Sequence, residues 1–153
     1  MRTLLEKYPR SAEYLLDILH DLQDAEPKRY LTPEALRSAA EHVGAPLSDV
    51  AGTATFYSMF SLKPRGRRIL RVCESPPCLL MGAETLLDVL RRHLGVEVGE
   101  TTADGAFTLE STSCLGVCGV APAMMIDEEL YGNLTAERVT AILDRVRRDD
   151  AAR

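Results

Sequence analysis

Two short cysteine segments, Cys73-Glu-Ser-Pro-Pro-Cys78 and Cys114-Leu-Gly-Val-Cys118, are the most informative part of this 153-residue sequence. Thirty-five residues separate the segments, and the chain contains no other cysteine. Two thiolates four or five positions apart on a tight loop can converge on one point, and two such loops can bind it from opposite sides. Four anionic sulfurs suit an iron–sulfur cluster or a zinc ion. The pattern therefore predicts one metal centre.

Disulfides and zinc are the alternatives to an iron–sulfur cluster. The chain starts Met-Arg-Thr-Leu-Leu-Glu-Lys, without a basic stretch followed by an apolar segment. Nothing in it directs the chain to an oxidising compartment, which disfavours disulfides. Zinc stays open, because a four-thiolate site with short loops is a common way to bind structural zinc. Spacing alone does not separate zinc from a [2Fe–2S] cluster.

The loop that follows the second cysteine pair is almost entirely apolar. Residues 114–125 read Cys-Leu-Gly-Val-Cys-Gly-Val-Ala-Pro-Ala-Met-Met. Such a loop leaves backbone N–H groups as the main hydrogen-bond donors to sulfur, and these bonds tune a reduction potential where solvent access is low. A structural zinc site depends less on such hydrogen bonds and on low solvent access, so the loop favours an iron–sulfur cluster.

These cysteine loops and the segment Thr55-Phe56-Tyr57-Ser-Met-Phe60 resemble the thioredoxin-like [2Fe–2S] subunit of NADH-oxidising complexes. That family includes the 24 kDa-type subunit of respiratory complex I and related subunits of NAD-linked or electron-bifurcating hydrogenases and formate dehydrogenases. The resemblance covers nearly the whole chain. It implies that one [2Fe–2S] cluster is bound by four ligands, Cys73, Cys78, Cys114 and Cys118.

The resemblance also implies a function and a partner. The chain would be the one-electron-transfer subunit of an NAD(H)-linked oxidoreductase complex, beside a larger 51 kDa-type iron–sulfur subunit that binds FMN and NAD(H). The sequence has no G-x-G-x-x-G after a strand and no P-loop, so we expect no nucleotide site and no substrate-converting site on this chain. Whether the complex is a respiratory NADH dehydrogenase, a hydrogenase or a formate dehydrogenase stays open.

Three other functions compete with electron transfer within a complex. A zinc-stabilised interaction module without a redox role is the main alternative, because the cysteine spacing is compatible with it. A thiol oxidoreductase is disfavoured, because it needs a C-x-x-C pair that neither loop has. A free ferredoxin would not require the helices upstream of the cysteines, so those helices favour the subunit.

Composition restricts the remaining partners. A net charge of −5 disfavours nucleic acid, whose binding depends on Lys and Arg neutralising phosphates. No apolar run approaches the roughly 18 residues of a membrane span. With no targeting segment recognised, we expect a cytoplasmic protein whose membrane association, if any, comes through its partners.

Residues 1–66 are predicted to form a three-helix module without cysteine. Apolar periodicity and capping signals place its helices at about residues 11–23, 33–43 and 48–60. Thr32-Pro33-Glu34 is a helix start and Gly44 a helix stop. We expect Phe56, Tyr57 and Phe60 to pack within the chain rather than to anchor a partner.

Residues 67–153 are predicted to form an α/β (α+β) domain with a thioredoxin-like sheet. Period-2 and period-3.6 patterns give strands at 68–73, 107–112, 124–127 and 130–131 and helices at 81–94 and 135–148. The four cysteines fall in loops at strand ends, with Cys78 just before a helix. We expect positive φ angles at Gly116 and Gly119. A cis bond before Pro122 stays open.

The three histidines are not predicted to be ligands. Each lies in a helical segment among charged residues, which is typical of a solvated surface, and none is needed to complete a four-cysteine site. They are His20, His42 and His93.

Overall fold

The computed structural model describes residues 2–151 and has the predicted α+β class. The chain folds into two compact units that divide between Arg65 and Gly66. The first unit is helical and the second contains a four-stranded sheet. No helix within the described residues is both long and apolar enough to cross a membrane.

The first unit packs three main helices around an apolar core. Its elements are α1 (Arg2–Leu5), a 3-10 turn (Ala12–Tyr14), α2 (Leu15–Ala25), α3 (Pro33–Val43) and α4 (Leu47–Phe56). The Thr32 side-chain oxygen accepts a 3.1 Å hydrogen bond from the N–H of Ala35, and Gly44 ends α3 with a φ of 72°. Both capping signals in the sequence are therefore confirmed.

The last predicted helix of this unit ends four residues early, at Phe56. Tyr57 leaves the helix in an extended conformation, with φ −88° and ψ 120°. Phe60 is buried and Tyr57 is half-buried, as expected for packing residues. Phe56 is 80% exposed, so the expectation of packing is wrong for this ring.

The segment after α4 is fixed by a buried glutamine and a histidine. The Gln23 side chain donates to the Met59 carbonyl at 3.1 Å and accepts from the Ser61 N–H at 2.8 Å. The His20 ring lies 4.8 Å from that of Phe60, with its Nε2 2.9 Å from Met59 Sδ. Gln23 thereby satisfies two backbone groups that no helix or strand would otherwise pair.

All three histidines were predicted to lie on the solvated surface, and this is correct for only one of them. His93 is exposed on its helix. His20 is half-buried against the segment described above, and half-buried His42 has its Nε2 3.0 Å from the carbonyl oxygen of Tyr8. Neighbouring charges in the sequence did not reveal these contacts, because both partners are distant along the chain.

The second unit is a mixed sheet with helices packed on it. Its elements are β1 (Arg68–Cys73), α5 (Pro76–Leu80), α6 (Ala83–Leu94), β2 (Phe107–Thr112), a 3-10 turn (Cys118–Val120), β3 (Met124–Ile126), β4 (Glu129–Tyr131) and α7 (Ala136–Ala151). The strand order is β2-β1-β3-β4, with β1 and β2 parallel and the other pairs antiparallel. Buried side chains of the sheet, α6 and α7 form one core, including Leu70, Leu90, Leu109 and Leu143.

Several predicted boundaries in this unit shift for local reasons. The Pro-Pro pair begins the short helix α5 instead of a plain turn, since proline suits the first helical positions. Gly82, with φ 96°, separates α5 from α6, so the predicted helix begins at Ala83. β3 ends at Ile126 because Asp127 has φ 53°. The Ala121–Pro122 bond is cis.

Arg68 connects three parts of the second unit. Its Nε lies 3.1 Å from both carboxylate oxygens of Asp150 at the end of α7. Its Nη1 donates to Asp127 in the turn between β3 and β4 at 3.0 Å, and Asp127 also accepts from the Ile69 N–H at 3.1 Å. The hydrogen bonds that Arg68 donates to the carboxylates of Asp150 and Asp127 raise its pKa above the ordinary value. The three side chains are mostly buried, so solvent screens this network less than a surface ion pair.

Replacing Arg68 with Met should lower the free energy of unfolding of the second unit by about 2–3 kcal/mol, because it removes several charge-assisted hydrogen bonds to buried carboxylates. Urea denaturation followed by circular dichroism measures the change. Arg91→Met is the matched control, because Arg91 pairs with exposed Glu97 and Asp88 on α6. Arg91→Met should cost much less stability than Arg68→Met, because solvent screens exposed ion pairs. Equal losses in the two variants would contradict the network's role.

Candidate metal centre

The pairing of β1 with β2 brings the two cysteine segments to one edge of the sheet. The strands are parallel, so both end at that edge. Cys73 is the last residue of β1, and Cys114 follows the end of β2 by two residues. β3 runs antiparallel to β1 and starts at the same edge with Met124, so residues 113–123 cross it. All four cysteines therefore lie at the sheet edge that the sequence predicts, although their assignment as ligands stays a prediction.

Cys73 and Cys78 form the buried half of the site. Each is 2% exposed. Cys78 lies inside α5 and not before a helix, which corrects the predicted position. The helix starts after Ser75 with two prolines, and its first turn brings the Cys78 thiol within hydrogen-bonding reach of Cys73.

Cys114 and Cys118 form the exposed half of the site. Their sulfur atoms are 3.9 Å apart. Gly116 has φ 78°, which L-residues with a Cβ rarely adopt, and its N–H donates to the Cys114 sulfur at 3.3 Å. Gly119 does not have a positive φ, so that expectation is wrong. The physical reason is that Gly119 lies inside the 3-10 turn Cys118–Val120, where the backbone is right-handed.

Backbone N–H groups surround the buried sulfurs. Burial raises the pKa of Cys73, but hydrogen bonds from the backbones of Ser75 and Leu115 and from Cys78 outweigh it, so the pKa lies below its ordinary value. Burial raises the pKa of Cys78, and the Cys73 thiol adds to that effect, although the Ala123 backbone opposes it. Donors that favour a thiolate at Cys73 also stabilise a negatively charged metal centre there.

The four sulfurs are arranged as two pairs. Around one tetrahedral zinc all four sulfurs would lie about 3.8 Å apart, given Zn–S bonds of about 2.3 Å. Within residues 2–151, no three Cys, His, Asp or Glu side chains converge on a single ion in this way. A binuclear cluster needs only two thiolates on each iron, because bridging sulfides supply the other ligands. Four cysteine thiols match in number and type the Cys₄ ligand set of a [2Fe–2S] cluster.

Gly132 was not identified from the sequence. A Cβ atom on this residue would lie 2.5 Å from Val120 Cγ2 and 2.8 Å from the Val120 carbonyl oxygen. The next residue, Asn133, donates its N–H to that same oxygen at 2.6 Å. The close approach holds the 3-10 turn that begins with Cys118 against the segment after β4. A glycine after a short predicted strand is too common a turn signal to reveal this contact.

An apolar surface adjoins the buried pair. Leu79, Leu80 and Met81, the residues that follow Cys78, are 44%, 87% and 62% exposed. Three consecutive exposed apolar side chains are unusual on a surface that contacts only water. We call these residues the α5 apolar surface.

Comparison with known proteins agrees with this geometry. The family model described as thioredoxin-like [2Fe-2S] ferredoxin matches residues 1–147. A subunit of the NADH-quinone oxidoreductase of Mycobacterium tuberculosis is 35% identical over 148 residues, which are 97% of this chain and 58% of that protein. The NADP-reducing hydrogenase subunit HndA of Solidesulfovibrio fructosivorans is 32% identical over 139 residues, 91% of this chain and 80% of that protein.

A solved structure shows the same fold. The crystal structure of an NAD+-reducing [NiFe]-hydrogenase in the air-oxidized state superposes with a TM-score of 0.78 and 26% sequence identity. The match covers 92% of this chain and 24% of the hydrogenase chain. Since the family model spans nearly every described residue, the chain belongs to the thioredoxin-like [2Fe–2S] ferredoxin family.

Proposed function

We propose that this chain is the one-electron-transfer subunit of an NAD(H)-linked oxidoreductase complex, with Cys73, Cys78, Cys114 and Cys118 as cluster ligands. A bound [2Fe–2S] cluster supplies reversible one-electron chemistry. The observation that carries the proposal is the arrangement of four thiols as two pairs at one sheet edge.

The two pairs have different tasks in this proposal. Cys73 and Cys78 bind from the protein interior, where burial keeps water from their sulfurs. Cys114 and Cys118 are exposed, so a redox partner can approach closely from their side. One half of the site thus protects the centre while the other half gives access to it.

The proposed partner is a flavin- and NAD(H)-binding iron–sulfur subunit of the 51 kDa type. The names of the relatives support a role within NADH-quinone oxidoreductase or an NAD(P)-linked hydrogenase. The chain covers only part of those relatives, so substrate and partner are proposals here. We place the docking surface at the α5 apolar surface, because it is exposed and follows Cys78, which lies at the same sheet edge as the exposed pair Cys114 and Cys118. In this proposal the chain has two separate domains, residues 1–66 and 67–153. The helical domain assists assembly of the complex.

The first test uses the full chain with its cluster and a purified flavoprotein partner. NADH alone should leave the cluster oxidised, because we expect FMN and NAD(H) to bind to the partner subunit, and adding the flavoprotein should reduce it. In Leu80→Glu, binding of the flavoprotein should weaken about tenfold or more, since a charge replaces an apolar contact. Visible spectroscopy follows the reduction, and titration gives the affinity.

Val98→Glu is the matched control for the docking surface. Val98 is also exposed, at 39%, but it follows the C-terminal end of α6 and is not part of the α5 apolar surface. The affinity of the Val98→Glu variant for the flavoprotein should equal that of the unmodified chain. Reduction by NADH without a flavoprotein would contradict the proposed function, and equal losses in both variants would contradict the docking surface.

A second prediction concerns Gly132. In Gly132→Ala the new methyl group collides with the Val120 side chain and carbonyl oxygen, and the turn that begins with Cys118 must move. We expect less iron per purified chain and a free energy of unfolding lower by about 1–3 kcal/mol. Iron analysis and urea denaturation measure the two effects.

Gly52→Ala provides the comparison, because it also adds one methyl group. Gly52 lies within α4, and nothing comes within 4 Å of a Cβ placed there. This variant should retain full iron and gain up to about 1 kcal/mol of stability. Unchanged iron and stability in Gly132→Ala would show that the close contact does not position Cys118.

A further inference from the structure

The exposed cysteine pair has a geometry that suits a second reaction. Cys114 and Cys118 are both exposed, and their sulfur atoms are 3.9 Å apart. A disulfide bond is about 2.05 Å long, so the two sulfurs need to approach each other by roughly 2 Å to form one. Rotation of two exposed side chains supplies a movement of that size, because nothing buried has to be displaced.

The backbone between these two cysteines already turns back on itself. Gly116 has φ 78° and donates its N–H to the Cys114 sulfur at 3.3 Å, and Cys118 begins the 3-10 turn. β2 ends at Thr112 and β3 begins at Met124, so the pair lies in the connection between two strands. Bond formation between the two sulfurs therefore leaves the pairing of the sheet unchanged.

The buried cysteine pair is close together as well, but an external reagent does not reach it. Cys73 and Cys78 are each 2% exposed. Cys73 is part of β1 and its N–H donates to the Ala123 carbonyl at 3.1 Å, whereas Cys78 lies inside α5. Thiol–disulfide exchange requires contact between the attacking sulfur and the external disulfide. The structure thus separates an accessible pair of thiols from a protected pair.

We propose that Cys114 and Cys118 form a disulfide-exchange site in the chain before it receives its metal centre, with a small-molecule disulfide such as oxidised glutathione as the oxidant. One cysteine sulfur attacks the oxidant and releases one glutathione, which leaves a mixed disulfide on the chain. The second cysteine sulfur then attacks the protein sulfur of that mixed disulfide and releases the other glutathione. Two electrons pass from the cysteine thiols to the oxidant, and the two thiol protons end on the released glutathiones.

This disulfide controls metal uptake and protects the thiols. It withholds two of the four proposed ligands, and a dithiol reductant returns them. A sulfur held in a disulfide is also kept from the irreversible oxidation to sulfonic acid. Since the reaction involves only the thiols of the chain without metal, the inference does not depend on which metal centre the site later binds.

The test compares two tryptic peptides of the full chain, purified and freed of metal by a chelator without oxygen. Lys and Arg are absent from residues 72–90 and 93–137, so one peptide contains the buried pair and the other the exposed pair. After oxidised glutathione is added, free thiols are alkylated and the peptides are weighed by mass spectrometry. The exposed pair should become a disulfide about tenfold faster than the buried pair, or more, and dithiothreitol should reverse the change.

Cys118→Ser tests the second step of the reaction. With no second thiol to displace it, one glutathione should stay attached to the peptide that contains Cys114. In the unmodified chain this mixed disulfide should not accumulate, because the second thiol is already adjacent. Release of the glutathione from Cys118→Ser without a reductant would contradict the proposed second step.

The same chain in concentrated urea is the matched control for access. The two peptides should then oxidise at similar rates, because unfolding removes the burial of Cys73 and Cys78. Equal rates without urea, or a disulfide that joins the two peptides, would overturn the inference. A chain that shows the selective disulfide but never forms a [2Fe–2S] cluster after reduction would overturn the proposed function alone.

Discussion

The parallel pairing of β1 with β2 is the constraint on which the rest of this structure depends. It joins two segments that lie far apart in sequence and ends both strands at the same edge. Leu70 and Leu109, opposite each other in the register, are fully buried under the helices. Each such side chain contributes about 1.5–3 kcal/mol by burial, so the core that folds the sheet also positions the cysteines. Without this pairing, nothing would bring Cys73 and Cys114 to the same edge of the sheet.

The site built on that edge is asymmetric. Its buried half receives backbone hydrogen bonds, and its exposed half is accessible from the surface. The close packing of Gly132 positions the turn that begins with Cys118. At the opposite end of β1, Arg68 donates a hydrogen bond to α7. The sheet is thus held at both ends. This arrangement suits a centre that exchanges electrons with little rearrangement of the protein around it.

Local signals in the sequence predicted most of the fold. The Thr32 cap, the Gly44 stop and the strand that ends at Cys73 are determined by neighbouring residues, so they could be read directly. The pairing of the cysteine segments followed from their spacing and from the family resemblance. Contacts between distant residues were missed. The packing of Gly132 against Val120 and the half-burial of His20 each depend on how separate elements meet, which no local pattern records.

The central claim is that the four cysteines bind one [2Fe–2S] cluster, and metal and sulfide analysis of the full chain tests it most directly. After anaerobic purification or reconstitution, the account predicts about two irons and two inorganic sulfides per chain, with an EPR signal that appears only on reduction. One zinc and no iron per chain, reproduced after reconstitution, would contradict it.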